Sequence, residues 1–296
     1  MADPAASVRA LFPGHYLQTF LAEGVRPDAR TFGEPRQTAC TPGVISSADG
    51  SASVQVGGTS VVAGVQLNPF SPPALMSTAG RLVVVVDMAQ AAASQSAARA
   101  DDDQAVALSD FVTRTLQQAR AVDDGDLIIK EGAAAWAITL SITCLNFDGN
   151  IVDAVMLAAL AALLDTRIPA VELSDTGAVA ECNKPAKALV LRALPVCLTL
   201  ALFENLEAGK PDMVVDPTAE EEKLCKATVT VVVSCPASRQ VEASATRDAP
   251  IMVHKAGGMP VAGACLEEAI QHARKRALLE VQLLQSACPG PSLGAR

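Results

Sequence analysis

The turn Asp148-Gly149-Asn150 joins an apolar strand, about 133–145, to an apolar helix and is where the sequence could do chemistry. A strand, a glycine turn and a helix N-terminus can together bind phosphate, because unpaired backbone amides point outward there. Such a site usually adds a cation or a hydroxyl in the first turn. Here the turn offers Ile151, Val152 and Asp153. The pattern therefore favours a buried core helix capped by Asn150, with a carboxylate in its first turn, over an anion site.

Two runs of three acids are the other candidates for chemistry. Asp101–Asp103 and Glu220–Glu222 could be imagined as metal clusters. Adjacent acids point apart and are usually a solvated surface, so we predict no metal and no other cofactor. The charged segment Val25–Arg30, judged on charge alone, is likewise predicted to be a surface loop.

Composition limits the classes of function. The chain has 296 residues, of which 50% are hydrophobic and 3% aromatic, so a sizeable core must consist of alanine, valine and leucine. So few aromatic residues argue against a base-stacking RNA platform. The net charge of −9 argues against a stand-alone nucleic-acid binder, although a local basic lining is compatible with it.

The eight cysteines are scattered, without a CxxC pair, and the three histidines lack ligand spacing to them. This usage is typical of reduced cysteines in a cytosolic or nuclear protein and not of a zinc site. The start, Met1-Ala-Asp-Pro, has no signal pattern, and the apolar runs are too short or too broken by charge for a transmembrane helix.

The elements that must position these residues fall into two similar halves. Strands and helices alternate in an α+β order that is partly repeated. We predict an N-terminal helix and arm over 1–24, a first half over 25–175, a second half over 176–287 and a loose tail over 288–296.

The first half is predicted to begin with an antiparallel meander and to end with the apolar helix after Asn150. Within 68–105 only 81–88 has a strand pattern, and the alanine- and serine-rich remainder leaves loop and frayed helix both open. The predicted elements are a helix at 13–23, strands at 37–45, 52–56, 60–67 and 81–88, a helix at 103–122 with the acids at its N-terminus, a short strand at 127–129, and a strand around Trp136 covered on both faces.

The second half is predicted to hold short strands followed by one long helix. The strands are 168–173, 179–182, 188–191, 194–203, 213–215, 225–234 and 240–245, and the helix is 260–285.

Four motifs, in this order and spacing, resemble the RNase PH family, and within it the non-catalytic class of ring subunits of the RNA exosome. They are Arg26-Pro27-Asp28-Ala29-Arg30, which resembles the family's opening RPDGR; Ala48–Ala52 followed by Gly57–Val61; Asp148-Gly149-Asn150; and Val215–Glu222. The similarity extends from about Arg26 to Gln285.

The resemblance implies an RNase PH-like α+β fold, with a half like ribosomal protein S5 domain 2 followed by an exoribonuclease-type half, and mixed or antiparallel sheets packed by helices. It also implies a hetero-hexameric ring with other RNase PH-like subunits and RNA-binding cap subunits, through which RNA passes, in the nucleus (including the nucleolus) and the cytoplasm, with no membrane.

Two departures from the family pattern concern its catalytic residues. Active members have a small residue and an arginine after the Asp-Gly turn, where this chain has Ile151 and Val152. They have a catalytic aspartate before a Leu-Pro-Val strand, where this chain has Ala193. Phosphorolysis needs a held phosphate and an acid, so the resemblance predicts a subunit that is not itself an enzyme. Arg99 and Arg114 lie in the region that faces the channel in related subunits and are candidate RNA contacts; Lys184 and Lys187 are weaker ones.

The leading hypothesis is therefore a silent ring subunit that supports 3′-to-5′ degradation and processing of RNA, including ribosomal RNA. One alternative is an active phosphate-dependent 3′-to-5′ exoribonuclease with displaced site residues. A second is a free-standing protein that binds single-stranded RNA, which the acidic balance disfavours.

Overall fold

The structure, a computed structural model, describes residues 11–71, 80–88, 95–173, 179–181, 185–205, 210–237 and 250–288. The predicted strand at 240–245 and Lys184 lie outside these residues.

The first half is a mixed sheet with two long helices. Its strands follow the order β1-β2-β3-β6-β4, with β5 paired to β6. The elements are α1 Pro13–Ala22, β1 Thr38–Pro42, β2 Gly50–Val56, β3 Thr59–Phe70, β4 Arg81–Asp87, α2 Gln95–Ala119, a 3₁₀ turn Asp124–Leu127, β5 Ile128–Lys130, β6 Ala134–Asn146 and α3 Ile151–Asp165.

The predicted antiparallel meander is confirmed, since β1 pairs with β2 and β2 with β3, both antiparallel. The strand β6 then adds antiparallel to β3 and parallel to β4. The prediction that β6 is covered on both faces is wrong. Ile138, Leu140 and Ile142 are buried, whereas Ser141 on the opposite face is exposed, so the strand has the one-sided burial of a partly antiparallel sheet.

Helix α2 begins eight residues before the predicted start at Asp103. The serine- and alanine-rich segment that left loop and helix open is therefore helical from Gln95. As a consequence, Asp102 and Asp103 lie two turns inside the helix, where both are exposed, and not at its N-terminus.

The second half has a four-stranded antiparallel sheet in the order β12-β11-β13-β14, packed by the C-terminal helix α5. Two short strand pairs, β7 with β10 and β8 with β9, connect the halves. The elements are β7 Arg167–Ile168, β8 Val171–Leu173, β9 Val179–Glu181, β10 Lys187–Ala188, β11 Ala193–Phe203, β12 Asp212–Val215, α4 Ala219–Leu224, β13 Ala227–Pro236, β14 Met252–Gly257 and α5 Gly263–Ala287.

Helix α3 is the element that the two halves share. Its residues Ala154 to Leu164 are all buried, as its almost uniformly apolar sequence predicts. It packs on β2 and β3 of the first sheet and on β11 of the second, and one hydrophobic core extends across both sheets. Helix α1 lies outside this core and is held by a small separate cluster of Leu17, Leu21, Ala201, Phe203 and Val214.

Candidate functional site

The N-terminus of α3 lies directly against the N-terminus of α4, and Gly149 makes this approach possible. Gly149 has φ +80°, and a Cβ added to it would overlap the backbone at Thr218 and Ala219. Glycine is the residue that meets both demands. The Asp-Gly turn predicted from the sequence therefore brings the first half into contact with the second.

Asn150 occupies the N-cap position of α3, but the predicted capping is wrong. Its φ is +50° and its side chain makes no hydrogen bond to the helix amides. Its amide nitrogen instead donates to a carboxylate oxygen of Asp153 at 2.8 Å and of Asp216 at 2.6 Å. The side chain thus links two buried acids, one from each half.

Asp153 is turned away from the helix amides toward β11. Its carboxylate accepts from the backbone nitrogen of Thr199 at 3.0 Å and from the Thr199 hydroxyl at 2.8 Å. Burial raises the pKa of Asp153 to about 6, against the opposing effect of the hydrogen bonds from Asn150 and Thr199. The sequence predicts that the carboxylate of Asp153 complements the helix dipole. In the structure this carboxylate instead attaches α3 to the second sheet through Thr199.

Asp216 and Arg36 form the centre of the junction. The guanidinium of Arg36 donates to both carboxylate oxygens of Asp216, at 3.0 and 2.8 Å, and to the carbonyl oxygens of Asp148 and Gly149, at 2.6 and 3.1 Å. Although burial acts to raise it, the hydrogen bonds and charge of Arg36 keep the pKa of Asp216 below its ordinary value. This bidentate pair crosses from one half to the other.

Arg26 and Glu221 form a second buried pair beside it. Both are almost fully buried, and the guanidinium Nε of Arg26 lies 2.8 Å from Oε1 of Glu221 while Nη2 meets Oε2. Arg26 also donates to the carbonyl oxygens of Val215 and Asp216, at 2.8 and 3.0 Å. The prediction that the segment 25–30 is a surface loop is therefore wrong for Arg26, whose charge is balanced by an acid 195 residues later.

The prediction that Glu220–Glu222 is a solvated surface is also wrong for two of its three acids. Glu221 closes a capping box with Thr218 at the start of α4. Glu222 accepts the backbone N–H of Asn150 at 2.7 Å, and burial raises its pKa to about 6. Only Glu220 is exposed.

The residues linked to catalysis by the resemblance are not brought together. Val152 is half-buried in the first turn of α3, and Ala193 is the first residue of β11. Asp153 meets β11 at Thr199, six residues after Ala193, which is about 20 Å along an extended strand. The roles assigned to these two positions stay predictions.

The candidate RNA contacts lie apart from this junction. Arg114 is exposed on α2 and pairs with Asp110 at 3.3 Å, and Lys187 is exposed on β10. Arg99 belongs to the helical segment of α2. Their binding to RNA stays a prediction.

No set of three or more histidine, cysteine, aspartate or glutamate side chains in the described ranges is arranged to hold a metal. Within the same ranges, no helix has the length and apolarity to cross a membrane.

Sequence reasoning missed the ion network because its partners are far apart in the chain. Thr218 and Glu221 did carry a usable signal, the Thr-x-x-Glu pattern of a capping box. Nothing local indicates that Arg36 would be buried against Asp216, 180 residues away.

Two family models match the chain, one for each half. Residues 34–169 match domain 1 and residues 193–276 match domain 2 of the 3′ exoribonuclease family, RNase PH. Among curated proteins, the exosome complex component Rrp42 of Archaeoglobus fulgidus is 33% identical over 216 residues, which cover 73% of this chain and 78% of that protein.

Solved structures give the same result. An archaeal exosome core matches 95% of this chain and 98% of its own with a TM-score of 0.74 and 27% identity. The Archaeoglobus fulgidus exosome with RNA bound to the active site matches 90% of this chain and 96% of its own, with a TM-score of 0.72 and 28% identity.

These matches confirm the predicted family and fold, and they correct one prediction. The expectation of a chain that is not an enzyme is wrong, because both halves match models of an exoribonuclease family and the relatives are components of exosomes. Two substituted positions were too narrow a basis for that expectation. With both halves matched in order and joined through α3, the chain belongs to the RNase PH family of 3′ exoribonucleases.

Proposed function

We propose that this chain is a ring subunit of an RNA exosome and that it acts in the degradation of RNA from the 3′ end. The observation that carries the proposal is the match of nearly the whole chain, 95% of it, to an archaeal exosome core. Its neighbours in the ring are other RNase PH-like subunits, RNA-binding subunits cap the ring, and RNA passes through the assembly.

The open sheet edges support a role in assembly. Strand β4 ends the first sheet and β14 ends the second, and each pairs on one side only within the described residues. Val85 on β4 and Val253 on β14 are 49% and 41% exposed. Unpaired edges with exposed apolar residues favour coverage by a neighbouring chain, and we assign these strands to ring contacts.

The first experiment is affinity purification of the tagged chain from its own cells, followed by mass spectrometry of the proteins that co-elute. We expect five related RNase PH-like subunits and three cap subunits, and we expect the chain alone to self-associate or to be poorly soluble. A stable monodisperse monomer at micromolar concentration, together with no related subunit in the eluate, would contradict the proposal.

We assign part of the RNA path to helix α2, which includes Arg114 and, in its first turns, Arg99. The Arg114 side chain is 69% exposed, and Asp110, with which it pairs, is 65% exposed, so the guanidinium is available to a phosphate at little cost. In the assembled ring, Arg114→Gln should reduce ultraviolet crosslinking of this subunit to RNA. Arg192→Gln is a matched control, because Arg192 is also exposed and paired to acids. Equal crosslinking in both variants would remove Arg114 from the path.

The cellular role that we propose includes processing of ribosomal RNA in the nucleus and nucleolus, and RNA turnover in the cytoplasm. Depletion of the chain should lengthen the 3′ ends of ribosomal RNA precursors, and a fluorescent fusion should be present in both compartments. Unchanged precursors in cells without the chain would contradict the processing role.

A further inference from the structure

A contact between two rings joins α2 of the first half to β14 of the second. The imidazole of His254 on β14 packs against the phenyl ring of Phe111 on α2, with ring centroids 6.1 Å apart and ring planes inclined by 68°. Phe111 is half-buried and packs against the main core, whereas His254 is exposed. The edge-to-face contact therefore holds the imidazole in place and leaves it accessible to a ligand.

The backbone of His254 belongs to a well-supported part of the second sheet. His254 lies opposite Thr230 in the register of β14 with β13. Thr230 is buried, and its hydroxyl oxygen lies 3.0 Å from that of Thr199. The Thr199 hydroxyl in turn donates to the carboxylate of Asp153 on α3. Strand pairing and buried neighbours limit the movement of His254, and a binding site needs such support.

An exposed cation adjoins the two rings. Arg114 follows Phe111 by three residues on α2, and residues at this spacing are neighbours on a helix surface, with Cβ atoms about 5–6 Å apart. The guanidinium of Arg114 pairs with Asp110 at 3.3 Å, and both side chains are exposed, so the pair opens at little cost. The surface thus combines an accessible aromatic ring with a nearby cation, which are the two groups that bind single-stranded nucleic acid.

We propose that a nucleobase of RNA stacks on the imidazole of His254 while Arg114 contacts a neighbouring phosphate. The inference rests on the RNA path proposed for α2 and extends it from a contact with the RNA backbone to a contact with a base. Such stacking tolerates any sequence, because every base has an aromatic face. A chain that adds to the free edge of β14 can leave this site open, because Val253 and His254 point to opposite faces of the sheet.

The test is binding of a fluorescein-labelled oligouridine to the assembled ring, measured by fluorescence anisotropy at several salt concentrations. His254→Ala should raise the dissociation constant by about fivefold or more, which is the loss typical of one stacked base. Arg114→Gln should instead reduce the salt dependence of binding, because it removes a phosphate contact. His254→Phe keeps an aromatic ring and should bind as the unsubstituted chain does. His254 is exposed, so both of its variants are expected to keep the melting temperature.

The matched control is His15→Ala, which removes an exposed histidine from α1 and leaves α2 and β14 intact. This variant should bind the oligouridine as the unsubstituted chain does. An equal loss of affinity in His15→Ala and His254→Ala, or no loss in His254→Ala, would overturn the site. A loss in His254→Phe as large as that in His254→Ala would overturn stacking as the mode of contact.

Co-purification with related subunits separates this inference from the proposed function. A ring that assembles, and that binds RNA more weakly with Arg114→Gln but not with His254→Ala, would refute only the nucleobase contact. A chain that joins no related subunit would refute the proposed function, whatever its affinity for RNA. Loss of a neighbouring subunit from the His254→Ala ring would place a protein at this surface and overturn RNA as its occupant.

Discussion

The chain contains two runs of three acids, and they have opposite environments. In Asp101–Asp103, the described side chains of Asp102 and Asp103 are exposed on α2. In Glu220–Glu222, Glu221 is buried against Arg26, and Glu222 accepts the N–H of Asn150 in the other half. Two acids of the first run therefore belong to a solvated helix surface, whereas two acids of the second run join the halves.

The two runs differ because other parts of the chain supply a helix cap and compensating positive charge to the second run. Thr218 caps the helix that contains the second run, and it orients Glu221 toward the interior. Arg26 and Arg36 then bring compensating charge from the N-terminal segment. Asp102 and Asp103 of the first run lie about two turns inside a helix, where their side chains are exposed. Farther along the same helix, Arg114 and Asp110 form an exposed ion pair.

The largest expected effect comes from removing the cation of the buried pair. Arg26→Ala leaves the buried carboxyl of Glu221 without its arginine, and we expect a loss of about 3–5 kcal/mol in the free energy of unfolding. Urea denaturation at constant m-value measures it. The double variant Arg26→Met with Glu221→Gln should lose less than the sum of its single variants, because the uncompensated charge is gone. A loss below about 1 kcal/mol for Arg26→Ala would show that Glu221 is effectively solvated, like Asp102.

The second prediction uses the pKa of Glu222, which burial raises from 4.5 to about 6. Between these values the folded chain holds a proton that the unfolded chain has lost, so stability rises as pH falls through about 6. Asp153 and Glu280, with pKa values raised to about 6 and about 7, act in the same direction. Asp216, with a lowered pKa, acts in the opposite direction and only in stronger acid.

We therefore expect a higher free energy of unfolding at pH 5.5 than at pH 8, by about 0.8 kcal/mol for Glu222 alone. Glu222→Gln should remove that part of the slope, whereas Asp103→Asn should leave it unchanged. Denaturation curves recorded between pH 5.5 and pH 8 measure this dependence of the free energy of unfolding on pH. An identical slope in Glu222→Gln would show that the carboxylate of Glu222 is not held in the junction.

Much of the fold could be predicted from the sequence, because hydrophobic periodicity and turn residues determine many of its helices and strands. The meander, the apolar helix after Asn150 and the long C-terminal helix follow from periodicity and turn residues. The junction could not be predicted in this way. Asn150 has the residue type of a cap, but the carboxylates of Asp153 and Asp216 compete for its amide, and that competition exists only once the halves are packed.

The start of α2 was missed for a different reason. The segment before Asp103 is rich in alanine and serine and has no strong apolar period, so nothing in it separates helix from loop. Its helical state depends on continuity with the amphipathic part that follows, where Leu108, Val112 and Leu116 pack in the core.

A smaller effect is expected at the turn that follows Arg26 and contains Ala29. Ala29 has φ +67° there, and its N–H donates to the carbonyl of Arg26 at 2.9 Å. Alanine is strained in this region, so Ala29→Gly should stabilise the chain by about 0.5–1 kcal/mol after the entropy that glycine adds to the unfolded state. Ala39→Gly, at an exposed position in β1, is the matched control and should destabilise by a similar amount. Destabilisation by both substitutions, measured by thermal unfolding, would show that the turn is not strained.

The smallest effect is expected in the first acidic run, where it tests both the comparison and the start of α2. If α2 began at Asp103, these acids would complement the helix dipole, and removing them would cost about 0.3–1 kcal/mol each. Because α2 begins at Gln95, Asp102 and Asp103 lie two turns inside the helix, beyond the reach of that effect. Asp102→Asn with Asp103→Asn should therefore change the free energy of unfolding by less than about 0.5 kcal/mol. A loss above about 1 kcal/mol in urea denaturation would place these acids at a helix end and remove the contrast with Glu221.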